Sequence, residues 1–385
     1  MRLAIDASNL SIGGGITHLV ELLRQADPTS HGFEKIIVWA SSATLARIEE
    51  RPWIEKRTDP ALEGHLLRRL AWQRRTLPRY LREAKADLLF APGGSIVPRF
   101  QPAVTMSRNM LPFEWSELRR FGFSTITLKL ALLRWSQSDS FKRADGTIFL
   151  TNYAFDAVTK VTGSLKGKTI IIPHGVNTRF RMPPRRQRTA EEFTASNPLR
   201  VVYVSTIDEF KHQWHVVDAV GRLHQEGLPL RLDLYGSARA STLPRLTDAL
   251  ARVDGEGQFI RYWGAMDYKE IHKCYAAADI CVFASSCENM PNILIESMAA
   301  GLPIACSNRG PMPEMLGDDG VYFDPENATS IANAVRELAT QPQLRAEKAS
   351  AAFAAASKFS WSRCAKETFS FLETVVREHQ EPVAG

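Results

Sequence analysis

Short, almost unbroken apolar runs alternate with longer stretches of helical spacing along nearly the whole chain. The runs fall at residues 2–7, 36–40, 88–90, 104–106, 147–152 and 169–172, and again at 199–204, 230–235, 259–263 and 280–285. An apolar run of this length is a strand covered on both faces, and parallel sheets flanked by helices provide that cover. The pattern predicts an α/β chain with two doubly wound, Rossmann-like domains, one in each half. At 385 residues there is enough chain for two domains, each with its own core. A stretch rich in Arg, Pro and polar residues at 179–198 reads as the linker, which puts the first domain at 1–178 and the second at 199–361. Ligand is expected beyond the carboxyl ends of the strands, in a central cleft that the two domains face.

The chemistry concentrates after the run at 280–285. Glu288-Asn289-Met290-Pro291-Asn292-Ile293-Leu294-Ile295-Glu296-Ser297-Met298-Ala299-Ala300-Gly301-Leu302-Pro303 reads as a loop entering a helix. Pro291 suits the first helical position, where its missing N–H has no partner to lose. Gly301 followed by Pro303 suits the stop. Glu296 then sits among Ile293, Leu294, Ile295, Met298, Ala299 and Ala300, and a carboxylate in such a setting needs a partner. The first amides of the helix, on Asn292, Ile293 and Leu294, form an anion site. A phosphate at the helix start, with hydroxyls for Glu288 and Glu296, describes a nucleotide-sugar. The plain alternative is a solvated Glu288 and a snorkelling Glu296.

This stretch resembles the E-x7-E signature of the retaining family 4 glycosyltransferases of the GT-B superfamily, roughly Glu-Gly-x-Pro-x4-Glu-x-Met-Ala-x-Gly-x-Pro. Glu288, Pro291, Glu296, Met298, Ala299, Gly301 and Pro303 match it, and Asn289 replaces the glycine. The likeness covers most of the chain and is best over 199–325. It implies the GT-B architecture, with a C-terminal helix at about 362–385 crossing back onto the first domain. It also implies retaining transfer of a sugar from a nucleotide-diphosphate donor to a glycan or lipid-linked acceptor, in cell-surface polysaccharide biosynthesis, with no cofactor beyond the donor substrate. The leaving diphosphate takes the acceptor proton, and the protein stabilises its charge and positions both substrates. On this resemblance Glu288 orients the sugar hydroxyls and Glu296 binds the ribose diol. Lys211 and the amides of Asn292, Ile293 and Leu294 hold the diphosphate, and Asn289 and Met290 belong to the same donor loop. Gly236, closing the 230–235 run, falls near the expected nucleobase.

Two positions depart from the family pattern. Relatives place an arginine after the 199–204 run. Ser205 and Thr206 stand there instead, with hydroxyls to donate but no charge, so the diphosphate leans on Lys211, the helix amides or an arginine from elsewhere. Relatives carry a His-Asp or His-Asn pair where this chain has Arg108-Asn109. A phosphate-holding role and a structural salt bridge are equal readings for Arg108. His174, in Ile172-Pro173-His174-Gly175-Val176, stands where asparagine is frequent and is expected to position by hydrogen bonding. Gly13-Gly14-Gly15 lets backbone approach a phosphate. Gly14 and Gly15 are expected on the phosphate side of the cleft, with Thr17 capping the helix that follows. No D-x-D occurs, so metal-independent transfer is expected. His212 and His215 have helical spacing for a metal, but read first as two surface histidines.

The net charge of +6 divides unevenly: residues 1–198 carry 30 Lys and Arg against 18 Asp and Glu, residues 199–385 carry 18 against 24. A basic half faces nucleic acid or an anionic membrane, and no nucleic-acid recognition module accompanies the arginines. Residues 65–85 carry seven Lys and Arg against one acid, interleaved with Leu66, Leu67, Leu70, Trp72, Leu77 and Leu81. Two readings stand level: peripheral contact with anionic lipid, or a surface helix whose apolar side lies on the core. The stretch 123–136 is read as a core-packed helix, with membrane contact second. All five cysteines read as buried reduced thiols, and the start of the chain goes straight into a strand rather than a signal peptide, so a cytoplasmic place, at the inner face of the membrane where lipid is contacted, is expected. Two other functions are compatible with these residues. One is a GT-B nucleotide-sugar epimerase, which needs no acceptor; the other is a non-catalytic nucleotide-sugar-binding subunit.

Overall fold

The computed structural model describes residues 1–10 and 13–381. The chain divides into two compact units, one from Met1–Gly175 together with the stretch from Ser360 onward, the other Val176–Phe359. The first unit holds a seven-stranded sheet of β1 (Arg2–Asp6), β2 (Lys35–Trp39), β3 (Ile54–Arg57), β4 (Leu88–Ala91), β5 (Ala103–Met106), β6 (Gly146–Phe149) and β7 (Lys168–Ile171), in the order β3-β2-β1-β4-β5-β6-β7. Every pairing is parallel. Leu3, Ala4 and Ile5 of β1 are fully buried, as a strand covered on both faces requires. β3 was not among the expected strands. Its sequence, Ile-Glu-Lys-Arg, is that of an edge strand with four half-buried residues, so it lacks an apolar run.

Helix Trp361–Gln380 packs on helix Gly14–Gln25 in this unit. A Cβ on Gly146 would stand 2.9 Å from the Phe371 ring, and one on Gly175 would stand 2.1 Å from the Trp361 backbone nitrogen. Three expectations change here. Helix Gly14–Gln25 starts from Gly13, whose φ of 77° favours glycine, so Thr17 lies inside the first turn and caps nothing. The 65–85 stretch forms two helices, Leu66–Arg75 and Leu77–Glu83. Trp72, Leu77 and Leu81 turn inward against Trp39, Leu62 and Leu89, which leaves Leu66 and Leu67 as its exposed apolar side chains. The 123–136 stretch belongs to helix Thr125–Arg143, but only Leu130, Gln137, Ser140 and Phe141 of that helix are buried.

The second unit holds β8 (Leu199–Val204), β9 (Leu230–Tyr235), β10 (Ile260–Tyr262), β11 (Ile280–Phe283), β12 (Ile304–Ser307) and β13 (Val321–Phe323) in the order β10-β9-β8-β11-β12-β13, again all parallel. Residues 179–198, expected as a linker, lie within this unit. Arg185 donates to the carbonyls of Ala276 and Ala278, and Arg188 pairs with Asp279 at 2.7 Å. The buried Arg345 closes the strap by donating to the carbonyls of Leu338, Ala339 and Arg188. A guanidinium out of water needs this many acceptors.

Candidate active site

In the second unit the strand order reverses between β8 and β11. Loops leaving the carboxyl ends of such a pair run in opposite directions and open a crevice. Here β8 leads to Lys211 and β11 leads to Glu288. The two loops are tied by Ser286 N donating to the Phe210 carbonyl at 2.8 Å, with His212 Nε2 2.9 Å from Ser286 Oγ. Lys211 Nζ donates to Glu288 Oε1 in a nearly buried ion pair. The ammonium also lies over the rings of Phe210 and Phe283, at 5.2 and 5.5 Å. The cation and the carboxylate, expected to take different parts of a donor, are therefore each other's partners. An anion arriving at Lys211 competes with Glu288, and its success frees Glu288 for hydroxyl groups.

Glu296 lies on helix Asn292–Ala299, almost fully buried, and accepts a hydrogen bond from the Tyr268 hydroxyl at 2.8 Å. Burial pushes its carboxyl up to about 8, against the opposing pull of that hydrogen bond and of the Arg179 charge. The Arg179 guanidinium lies 4.2 Å over the Tyr268 ring. Sequence reasoning missed both residues. A buried acid on an apolar helix announces that it needs a donor, but Tyr268 comes from the loop after β10 and Arg179 from the stretch read as linker.

The helix start also differs from expectation. Pro291 is the N-cap, in extended conformation, rather than the first helical residue. Its carbonyl accepts from Leu294 N at 3.1 Å and from Ile295 N at 3.4 Å. An N-cap carbonyl takes the first intrahelical bonds, so Leu294 N is already engaged and no longer belongs with the Asn292 and Ile293 amides expected to be open. Asn289 and Met290 are buried in the loop before it. Gly301 ends the helix stretch at φ 63°, as the Gly-x-Pro pattern predicts.

Ser205 Oγ donates to the Thr206 carbonyl at 3.2 Å, and Thr206 itself is exposed. Gly236 has φ 144°, and a Cβ there would fall 2.0 Å from the Ser205 carbonyl oxygen, so glycine is required where the β8 and β9 loops cross. His212 and His215 are not two surface histidines. His212 is buried as the N-cap of helix Gln213–Gln225, and His215 Nδ1 lies 3.1 Å from the Pro325 carbonyl.

The first unit carries the remaining expected residues. Arg108 follows β5 and donates from Nη2 to the Gly14 carbonyl at 2.8 Å, with Nη1 3.8 Å from Met106 Sδ. Burial pushes it down to about 10. Among the described residues no carboxylate pairs with it, so the salt-bridge reading fails. Asn109 Oδ1 accepts from Leu111 N at 3.2 Å, an ordinary turn-forming bond. Gly14 and Gly15 form the first turn of helix Gly14–Gln25, and a Cβ on Gly15 would meet Leu10 at 3.0 Å and Arg108 Nε at 4.0 Å. His174 is buried with its ring 4.7 Å from that of His18 and 5.6 Å from that of Trp361. Burial first, and the Arg108 charge second, hold it well below the usual histidine range. All five cysteines are free and buried.

Two doubly wound parallel domains are the GT-B fold. Residues 198–341 match the family model described as "Glycosyl transferases group 1". The O-antigen chain mannosyltransferase B of Escherichia coli is 26% identical over 346 residues, covering 84% of this chain and 87% of that protein. Among solved structures, sucrose-phosphate synthase from Thermosynechococcus elongatus aligns over 98% of this chain and 100% of its own, with a TM-score of 0.77 and 18% identity. The Anabaena protein HepE, in complex with UDP and glucose, aligns over 97% and 100%, with a TM-score of 0.72 and 20% identity. Residues 198–341 therefore match a group 1 glycosyltransferase domain, and glycosyltransferase activity is what the chain shares with these relatives. No helix among the described residues is long and apolar enough to cross a membrane.

Proposed function

We propose that this glycosyltransferase is a retaining, metal-independent enzyme. It moves a sugar from a nucleotide-diphosphate donor to a glycan or lipid-linked acceptor in the synthesis of a cell-surface polysaccharide, in the cytoplasm at the inner membrane face. The observation that carries the reading is the Lys211–Glu288 pair at the switch point, with the buried Glu296–Tyr268 pair on the helix that follows Glu288. The donor diphosphate displaces Glu288 from Lys211 and takes the Asn292 and Ile293 amides as further donors. Glu288, released, accepts hydroxyls of the sugar. Glu296 accepts the ribose diol. The leaving diphosphate, its charge stabilised by Lys211, removes the acceptor proton on the same face. Lys211 supplies the cation that a metal would otherwise bring, and the sequence has no D-x-D to hold one. The acceptor class is supported by the Escherichia coli relative, whose name places it on the O-antigen chain.

A thermal-shift panel of UDP, GDP, ADP and dTDP identifies the donor base, since a ligand at a hundred times its dissociation constant stabilises by roughly 2.7 kcal/mol. Transfer from the matching nucleotide-sugar, followed by NMR of the product, then tests the mechanism. The expected product keeps the donor's anomeric configuration, and turnover persists in EDTA. An inverted product, or activity lost to EDTA and restored by a divalent ion, refutes it.

A further inference from the structure

Among the described residues, nothing packs over Leu128, Leu132 and Trp135 on the outer face of helix Thr125–Arg143. Its inner face buries Leu130, Gln137 and Phe141. On the other side Leu128, Leu132 and Trp135 are 63, 61 and 73% exposed, at the i, i+4, i+7 spacing that aligns them in one row. Phe123, just before the helix, is fully exposed, and Trp115 is 54% exposed. Phe123 and Leu128 hold the N′ and N4 positions of a hydrophobic staple, but the full exposure of Phe123 shows that the two do not pack. Five large apolar side chains thus stand in water within one short segment, and such a concentration marks an interaction surface.

The acids around them are engaged, Glu117 with Arg120, Asp139 with Arg143 and Glu114 by the Tyr153 hydroxyl, which leaves the unpaired charges of one sign. Residues 118–138 contain Arg119, Arg120, Lys129 and Arg134 and no Asp or Glu. Arg120 is matched by Glu117. Arg119 and Arg134 lie over the Trp115 ring at 5.7 and 5.8 Å, and neither they nor Lys129 have a carboxylate partner among the described residues. A second copy of the same face would set these cations against their like. A surface that is apolar at its centre and negative at its rim has no such conflict, and a bilayer with anionic headgroups is that surface. Tryptophan with a basic rim is the chemistry of the headgroup level.

We propose that the Phe123–Trp135 face, not the 65–85 helices, seats this glycosyltransferase on an anionic bilayer, with Phe123, Leu128, Leu132 and Trp135 entering the headgroup boundary. The inference deepens the lipid-linked acceptor reading but rests on a separate observation, and its test is binding rather than turnover. Co-sedimentation of the full chain is measured with phosphatidylcholine vesicles and with vesicles that also contain phosphatidylglycerol. Wild type is expected to bind the anionic vesicles, and L128D/W135S to bind them about tenfold or more weakly. L66D/L67D, on the exposed apolar pair of the 65–85 helices, is expected to bind like wild type. Trp135→Phe keeps the fold and the binding, and is expected to lose most of the tryptophan quenching that brominated lipid produces in wild type. The proposal is overturned by no preference for anionic vesicles, by loss of binding in L66D/L67D instead, or by undiminished quenching in Trp135→Phe. It is also overturned if light scattering finds a wild-type dimer that L128D/W135S converts to monomer while vesicle binding stays unchanged. Transfer to a soluble acceptor, unaltered in L128D/W135S, separates this outcome from failure of the transferase mechanism.

Discussion

Replacing Glu296 by glutamine is expected to make this protein more stable at alkaline pH and to leave it unchanged at acid pH. The folded carboxyl is raised from its ordinary 4.5 to about 8 because it is buried. Below pH 4.5 the acid is protonated in both folded and unfolded chains and contributes no difference. Between 4.5 and about 8 the unfolded chain has released the proton and the folded one has not, so stability falls as pH rises. Above that the cost stays constant. At about 1.36 kcal/mol per pH unit the full loss is roughly 4–5 kcal/mol, as an upper bound. Glutamine keeps the shape and the acceptor for Tyr268 but has no proton to lose. Thermal melts of wild type and E296Q from pH 4.5 to pH 9 therefore start together and separate, with the variant higher at the alkaline end. Parallel curves across the range would refute the argument. Nucleotide binding adds a second readout, because the ribose diol brings two donors and favours the ionised acid. Calorimetry near pH 7 in buffers of different ionisation enthalpy should show a proton released by wild type on binding and none by E296Q.

Other expectations follow from the same geometry. Lys211→Ala leaves Glu288 without its cation, and breaking a buried pair costs about 3–5 kcal/mol; denaturant unfolding measures this, and Lys211→Met with Glu288→Gln should recover most of it while transfer stays abolished. Gly236→Ala forces a Cβ 2.0 Å from the Ser205 carbonyl at φ 144°, and should cost at least roughly 1–3 kcal/mol in the same assay. Trp72→Ala should cost about 3–5 kcal/mol through its core contacts without altering vesicle binding. The five cysteines are all buried, and burial pushes Cys281 up to about 12, so a thiol reagent should titrate them only after unfolding.

Most of the sheet framework was legible because strands buried on both faces must be apolar throughout. β3 was not, since an edge strand reading Ile-Glu-Lys-Arg shares the composition of a loop, and β12 and β13 were not among the expected runs either. The helix at Asn292–Ala299 was legible from Pro291 and Gly301, but its exact first residue decides which amides are free, and that was off by one. Trp72 and Trp135 show the deeper limit. Each stands on a basic, apolar-rich helix, and only the third dimension turns Trp72 to the core and Trp135 to solvent. Lys211, Glu288 and Glu296 could be picked out by residue type and spacing. The bond between the first two, and the Tyr268 and Arg179 that accompany the third, depend on loops brought together from distant strands.

The first unit is interrupted: its sheet is written in the first 175 residues, while helix Trp361–Gln380 belongs to the same unit. On the ribosome the whole of Val176–Phe359 emerges before that helix exists. The second unit has all its strands by Phe323 and can fold as synthesis proceeds. The first must wait with the surfaces of Gly146 and Gly175 uncovered until Phe371 and Trp361 arrive. The domain that is made first is thus completed last.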